Sequence, residues 1–99
     1  MFGIYPKSYN EILQIIEKYP SIEKVVIYGS RAKGTQREGS DIDITLFGNI
    51  SQKDLSDLRN DLDDSYIPYM LDISIYDKLN SGSLKEHINR VGKVFYQKK

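Results

Sequence analysis

The sequence predicts an α+β fold, a small mixed β-sheet with helices packed mainly on one face. Two observations predict it. Stretches with apolar residues at helical spacing alternate along the chain with short runs rich in β-branched residues, the pattern that layers helices on a sheet. Ninety-nine residues also suffice for one core but not for a second lobe, so a single domain over residues 1–99 is expected. Such a pattern leaves the order of the strands open.

The elements follow in order. Ser8 to Tyr19 reads as a helix, with Ser8 and Glu11 as a capping-box pair, a stripe of Ile12, Leu13, Ile15, Ile16 and Tyr19, and Pro20 as its stop. Ile22 to Tyr28 is a strand whose consecutive Val25, Val26 and Ile27 suit cover on both faces. Ser30 to Lys33 forms one helical turn closed by Gly34, and a polar loop holding Gly39 runs from Thr35 to Ser40. Asp41 to Phe47 is the second strand, with Ile42, Ile44 and Leu46 on one face and Asp41, Asp43, Thr45 and Phe47 on the other. Gly48-Asn49 breaks it.

Ser51 to Ser65 is the second long helix, capped by Ser51 with Asp54 and striped by Leu55, Leu58 and Leu62. Its acidic run of Asp57, Asp61, Asp63 and Asp64 reads as a solvated face. Tyr69 to Tyr76 is the third strand, which places Asp72 in the middle of an otherwise buried-looking run. A terminal helix from Ser83 to Arg90 has Ser83 and Glu86 as a capping box and Gly92 as its stop. Val94-Phe95-Tyr96 then forms an edge strand or a packed tail.

Composition narrows the function classes. Fourteen basic and 14 acidic side chains balance, which argues against a strong nucleic-acid binder, because phosphate-backbone affinity comes chiefly from Lys and Arg. The absence of cysteine excludes disulfides and zinc–thiolate sites. No apolar run approaches the roughly 18 residues of a membrane span, and the N-terminus lacks the pattern of a signal peptide. These features read as a soluble, cytoplasmic protein.

The chemistry concentrates in Tyr28-Gly29-Ser30-Arg31-Ala32-Lys33-Gly34 followed by Ser40-Asp41-Ile42-Asp43-Ile44. Carboxylates two apart on a strand point to the same face, with Cα atoms roughly 6.6 Å apart, so Asp41 and Asp43 can converge on one cation or a close pair. Hard oxygen ligands of this kind suit Mg²⁺, which borrows further ligands from substrate phosphates. A Gly-Ser turn opening a helical turn offers backbone N–H groups to such a phosphate. Asp72 on another strand strengthens the metal reading, because three acids on one sheet repel unless cations hold them together. The standard nucleotide and calcium fingerprints do not fit. Thr35 stands where a P-loop requires lysine, Arg31 occupies the second glycine position of the dinucleotide motif, and Thr45-Leu46 break a calcium loop starting at Asp41.

Together, Gly29-Ser30, the spacer, Asp41-Ile42-Asp43 and the later Asp72 resemble the minimal nucleotidyltransferases of the DNA polymerase β superfamily, over nearly the whole chain. The resemblance implies the palm-like nucleotidyltransferase fold, with ATP as substrate and two Mg²⁺ ions. It implies that Gly29 and Ser30 hold the β- and γ-phosphates and that Asp41 and Asp43 bind metal. Asp72 would complete the metal site and help to activate the attacking hydroxyl. Arg31 and Lys33 stand where positive charge meets phosphate, with solvated loop charges as the alternative. The Arg31-Ala32-Lys33-Gly34 continuation is similar to that of the antitoxin partners of HEPN-domain toxins. This implies AMP transfer to a hydroxyl, such as a tyrosine, of a HEPN toxin partner. The alternative is neutralisation of that partner by complex formation without catalysis. With no second domain to bind an acceptor, its surface is expected from a partner chain or a second copy, in a hetero- or homo-oligomer. His87, the only histidine, is expected to be structural or at the surface, away from the motif.

Overall fold

The computed structural model describes residues 2–37 and 40–99; Glu38 and Gly39, in the expected 35–40 loop, lie outside the described residues. Helix α1 spans Pro6–Glu17. It begins earlier than expected because Pro6 sits in its first turn, where a missing N–H and a preset φ favour initiation. Ser8 is consequently inside the helix and buried, and the Ser8–Glu11 capping box does not form. Strand β1 (Ile22–Tyr28) follows, then the short helix α2 (Ser30–Lys33), strand β2 (Ile42–Gly48) and helix α3 (Gln52–Asp63). The Ser51 hydroxyl accepts from the Asp54 amide at 3.1 Å and caps α3 as expected.

Strand β3 is shorter than expected, Leu71–Ile75, because Tyr76–Lys78 turn into a 3₁₀ helix. Helix α4 spans Gly82–Val91, with Ser81 as its cap; its hydroxyl accepts from the Leu84 amide at 3.2 Å. Ser83, expected in that role, lies inside the first turn. Strand β4 (Lys93–Gln97) makes the C-terminal segment an edge strand rather than a tail.

The strand order is β3-β2-β1-β4. β1 runs antiparallel to β2 and to β4, whereas β2 and β3 are parallel, so the sheet is mixed. A parallel neighbour requires a crossover, and α3 supplies it. Position at the edge also explains Asp72: it is the second residue of an outer strand and is exposed, not embedded in a buried run.

The two faces of the sheet differ. Ile12 and Ile16 of α1 and Leu58 of α3 pack with Ile27, Ile44 and Leu46 of the strands into the main core. The acidic side of α3 is only partly solvated. Tyr19 Oη donates to Asp61, Ser21 Oγ donates to Asp54 at 2.8 Å, and Lys53 pairs with Asp57 at 2.7 Å on the exposed surface. Burial and the bond to Asp61 push the Tyr19 hydroxyl far above its usual range. The opposite face carries a smaller cluster, Val26 and Tyr28 under Ile88 of α4. Gly92 ends α4 where a Cβ would lie 2.6 Å from Val26 Cγ1, so the helix end presses directly on β1.

Candidate active site

The site begins where β1 ends. Gly29 has φ 77°, a left-handed conformation that side chains disfavour. A Cβ at Gly29 would lie 2.6 Å from Asp43 Oδ2. Glycine is therefore needed twice, for the turn and for the carboxylate that rests against it. Ser30 opens α2 directly after this bend, and Gly34, also left-handed, closes it with its N–H bonded to the Ser30 carbonyl.

The sheet register places the acids. Asp43 of β2 is paired with Tyr28 of β1 on one side and with Asp72 of β3 on the other. Paired residues on adjacent strands share a face, so Asp43 and Asp72 come together on the α4 side. Asp43 is partly buried, whereas Asp41, just before β2, and Asp72 are exposed. Burial pushes the Asp43 carboxyl above its usual range, and the charges of Asp72 and Asp41 add to this; Arg31 and His87 pull it back down. The Tyr28 hydroxyl is likewise raised, first by burial and further by Asp72 and Asp43. Beneath the acids, Ser74 Oγ donates to Thr45 Oγ1 at 2.9 Å, which satisfies the hydroxyls of a fully buried Thr45 and its register partner.

Arg31 turns inward onto backbone carbonyls. It is 3% exposed. Its Nε and Nη2 donate to the Ser40 carbonyl at 3.2 and 2.7 Å, and its Nη1 donates to the Phe2 carbonyl at 3.1 Å. Its guanidinium stacks on Tyr69, 4.9 Å from the ring centroid. Arg31 thus ties the loop ahead of Asp41 to the N-terminal segment, and its donors are aimed at backbone carbonyls. Lys33 is exposed in the last turn of α2.

His87 is the residue that sequence reasoning misplaced. Its ring meets Tyr28 edge-on, with centroids 6.3 Å apart and planes at 84°. Because Tyr28 is the last residue of β1, directly ahead of Gly29-Ser30, His87 is not remote from the motif. The signal was the stripe Leu84, His87, Ile88 and Val91 at helical spacing, which turns one side of α4 toward the sheet.

Among the described residues, no group of three or more carboxylate, imidazole or thiolate side chains is gathered closely enough to hold a metal ion. The donor chemistry nevertheless fits Mg²⁺. Asp43 and Asp72 are hard oxygen donors in direct register, and Asp43 carries an unfavourable charge that a divalent cation would offset.

The fold has counterparts among known proteins. A chain from a toxin–antitoxin crystal structure with AMP-PNP superposes with a TM-score of 0.72 at 21% identity, covering 92% of this chain and 74% of that one. A chain of the MntA–HepT toxin–antitoxin structure gives 0.68 at 16% identity, covering 95% and 74%. A chain from the tri-AMPylated Shewanella oneidensis HEPN toxin in complex with MNT antitoxin gives 0.66 at 17% identity, covering 93% and 71%. At these identities the likeness is one of fold. No curated protein matches the chain in sequence. The family model described as polymerase beta, nucleotidyltransferase matches residues 10–99. Because that match spans most of the chain, the chain belongs to the polymerase β nucleotidyltransferase family.

Proposed function

We propose that this nucleotidyltransferase-family chain transfers AMP from ATP, with Mg²⁺, to a hydroxyl of a HEPN-type toxin partner, and so acts as an antitoxin. The observation that carries the proposal is the Asp43–Asp72 register pair set against the Gly29-Ser30 bend. The likeness in fold to a chain from the complex of a tri-AMPylated HEPN toxin with MNT antitoxin, and to one from a toxin–antitoxin structure with AMP-PNP, supports the choice of nucleotide and partner.

The chain's residues divide the work. The backbone N–H groups at Gly29 and Ser30 hold the β- and γ-phosphates. Asp43, with Asp41 and Asp72, would hold the Mg²⁺, and only through that cation can these carboxylates orient the α-phosphate. Asp72, exposed at the sheet edge, accepts the proton of the incoming hydroxyl. That hydroxyl oxygen attacks the α-phosphorus, the bond to the bridging oxygen breaks, and pyrophosphate leaves. Bound Mg²⁺ supplies the positive charge that offsets the phosphates and lets three carboxylates share one face. Arg31 holds the loop that presents Asp41.

The test incubates the chain with a HEPN toxin partner, labelled ATP and Mg²⁺. The parent is expected to label the partner, and Asp43→Asn to lower transfer by about 10²–10³-fold, the scale of losing one preorganised electrostatic group. Equal labelling by parent and variant, or none by either, would overturn catalysis. Exposure of Asp41 and Asp72 favours a second reading, neutralisation by complex formation alone. Under that reading, Asp41→Ala with Asp43→Ala still neutralises the partner.

A further inference from the structure

Helix α4 covers the sheet face that carries the acids, and it packs there through Leu84 and Ile88 against Val26 and Tyr28. Its inward side also carries His87, whose ring stands edge-on over Tyr28. Tyr28 is the last residue of β1; the next two are Gly29 and Ser30, and its register partner is Asp43. The imidazole therefore packs on the side chain of the residue that links the bend to the acid pair. It is only partly buried, and its ring nitrogens make no hydrogen bond or ion pair among the described residues.

Asp43, Asp72 and Asp41 are acceptors when ionised, and the guanidinium of Arg31 is aimed at the Ser40 and Phe2 carbonyls. A triphosphate presents many acceptor oxygens and needs N–H groups around it. An imidazole carries at least one N–H in either protonation state. We propose that His87 donates a ring N–H to the phosphate end of a bound nucleoside triphosphate, completing the cradle that the Gly29-Ser30 bend begins. This rests on the nucleotide-transfer reading above. The ligand class is a nucleoside triphosphate held by its β- and γ-phosphates, so a monophosphate gains little from the contact. The influence of His87 on Asp43 supports the same placement.

The experiment measures binding by calorimetry, using AMP-PNP with Mg²⁺ and AMP with Mg²⁺ as probes. It compares the parent with His87→Ala, His87→Gln and His87→Phe, each first checked for a parent-like melting transition. A hydrogen bond to a charged group predicts that His87→Ala and His87→Phe weaken AMP-PNP binding about tenfold, leaving AMP binding nearly unchanged. His87→Gln, which keeps an N–H donor, is expected to retain most of the AMP-PNP affinity. Unchanged AMP-PNP affinity in His87→Ala would overturn the proposal. So would rescue by phenylalanine but not glutamine, which would make His87 a packing partner of Tyr28. Equal losses for AMP and AMP-PNP would move the contact off the phosphates and overturn it as well. A folded parent that binds no AMP-PNP removes the nucleotide reading itself, whereas a binding parent with unaffected variants removes only the role of His87.

Discussion

The two faces of this four-stranded sheet are built on different terms. Under α1 and α3 the face is apolar: Ile12, Ile16, Ile44, Leu46 and Leu58 are fully buried. Under α4 the sheet shows Tyr28, Asp43, Thr45, Asp72 and Ser74, and Ile88 is the single residue of that helix that is buried. One face stores packing energy, and the other sets like charges side by side, which costs stability. The separation follows from strand alternation, since neighbouring residues on β1 and β2 serve opposite faces. A small domain can hold a destabilising acid pair only because the reverse side of the same strands is so well packed.

The sharpest way to break this contrast is to damage the packed face. Leu58→Ala removes a fully buried side chain and is expected to cost about 2–5 kcal/mol in chemical denaturation. Truncations at the partly exposed Leu84 on the other face are expected to cost less than half as much. Comparable losses at both sites would erase the distinction. Next in size is Gly29→Ala. The left-handed φ and the approach of Asp43 predict a loss of about 1–3 kcal/mol, visible in the same denaturation curves. It should also displace Asp43 and weaken AMP-PNP binding, whereas Leu58→Ala should leave the affinity of the folded fraction unchanged. A smaller effect is expected at the cap of the covering helix. Ser81→Ala removes the acceptor for the Leu84 amide and should cost about 1 kcal/mol, while Ser83→Ala should cost much less. The reverse ranking would restore Ser83 as the cap.

That last pair shows where legibility ends. Ser81 and Ser83 both satisfy a capping rule, and the choice depends on how many turns form before Leu84 meets the sheet. Ser8 fails as a cap for a similar reason, because Pro6 starts the helix first. Strand β1 and the two faces of β2 were legible because alternation and β-branched runs are local signals. The exposure of Asp72 was not, because it depends on β3 lying at an edge, and the order of strands is set by pairings distant in sequence. Asp43 and Asp72 were legible as acids on strands, but their register was not. For Arg31 the local pattern offered two readings, a phosphate contact or a solvated loop charge, and could not show that the side chain is buried. Its bonds to Phe2 and Ser40 are made by chain segments whose approach no spacing rule encodes. His87 was missed on the same ground, since only the packing of α4 on β1 carries it to Tyr28.

The gentlest probe of the contrast is pH. Asp43 has its folded-state pKa raised above the ordinary carboxylate value, by burial first and then by Asp72 and Asp41. The folded state therefore binds the Asp43 proton more tightly than the unfolded chain does. Ionised Asp43 costs stability at every pH above its raised value, and the cost fades as pH falls through that value toward the ordinary one. Asp43→Asn removes the charge and should raise the melting midpoint at neutral pH. The gain should shrink as the solution is acidified and vanish where the parent's Asp43 is protonated in both states. Saturating Mg²⁺ should narrow the same gap from the other side, by stabilising the parent and not the variant. A variant less stable than the parent at neutral pH would mean that the carboxylate is held by favourable contacts, and the acid-bearing face would then be no burden for the packed face to offset.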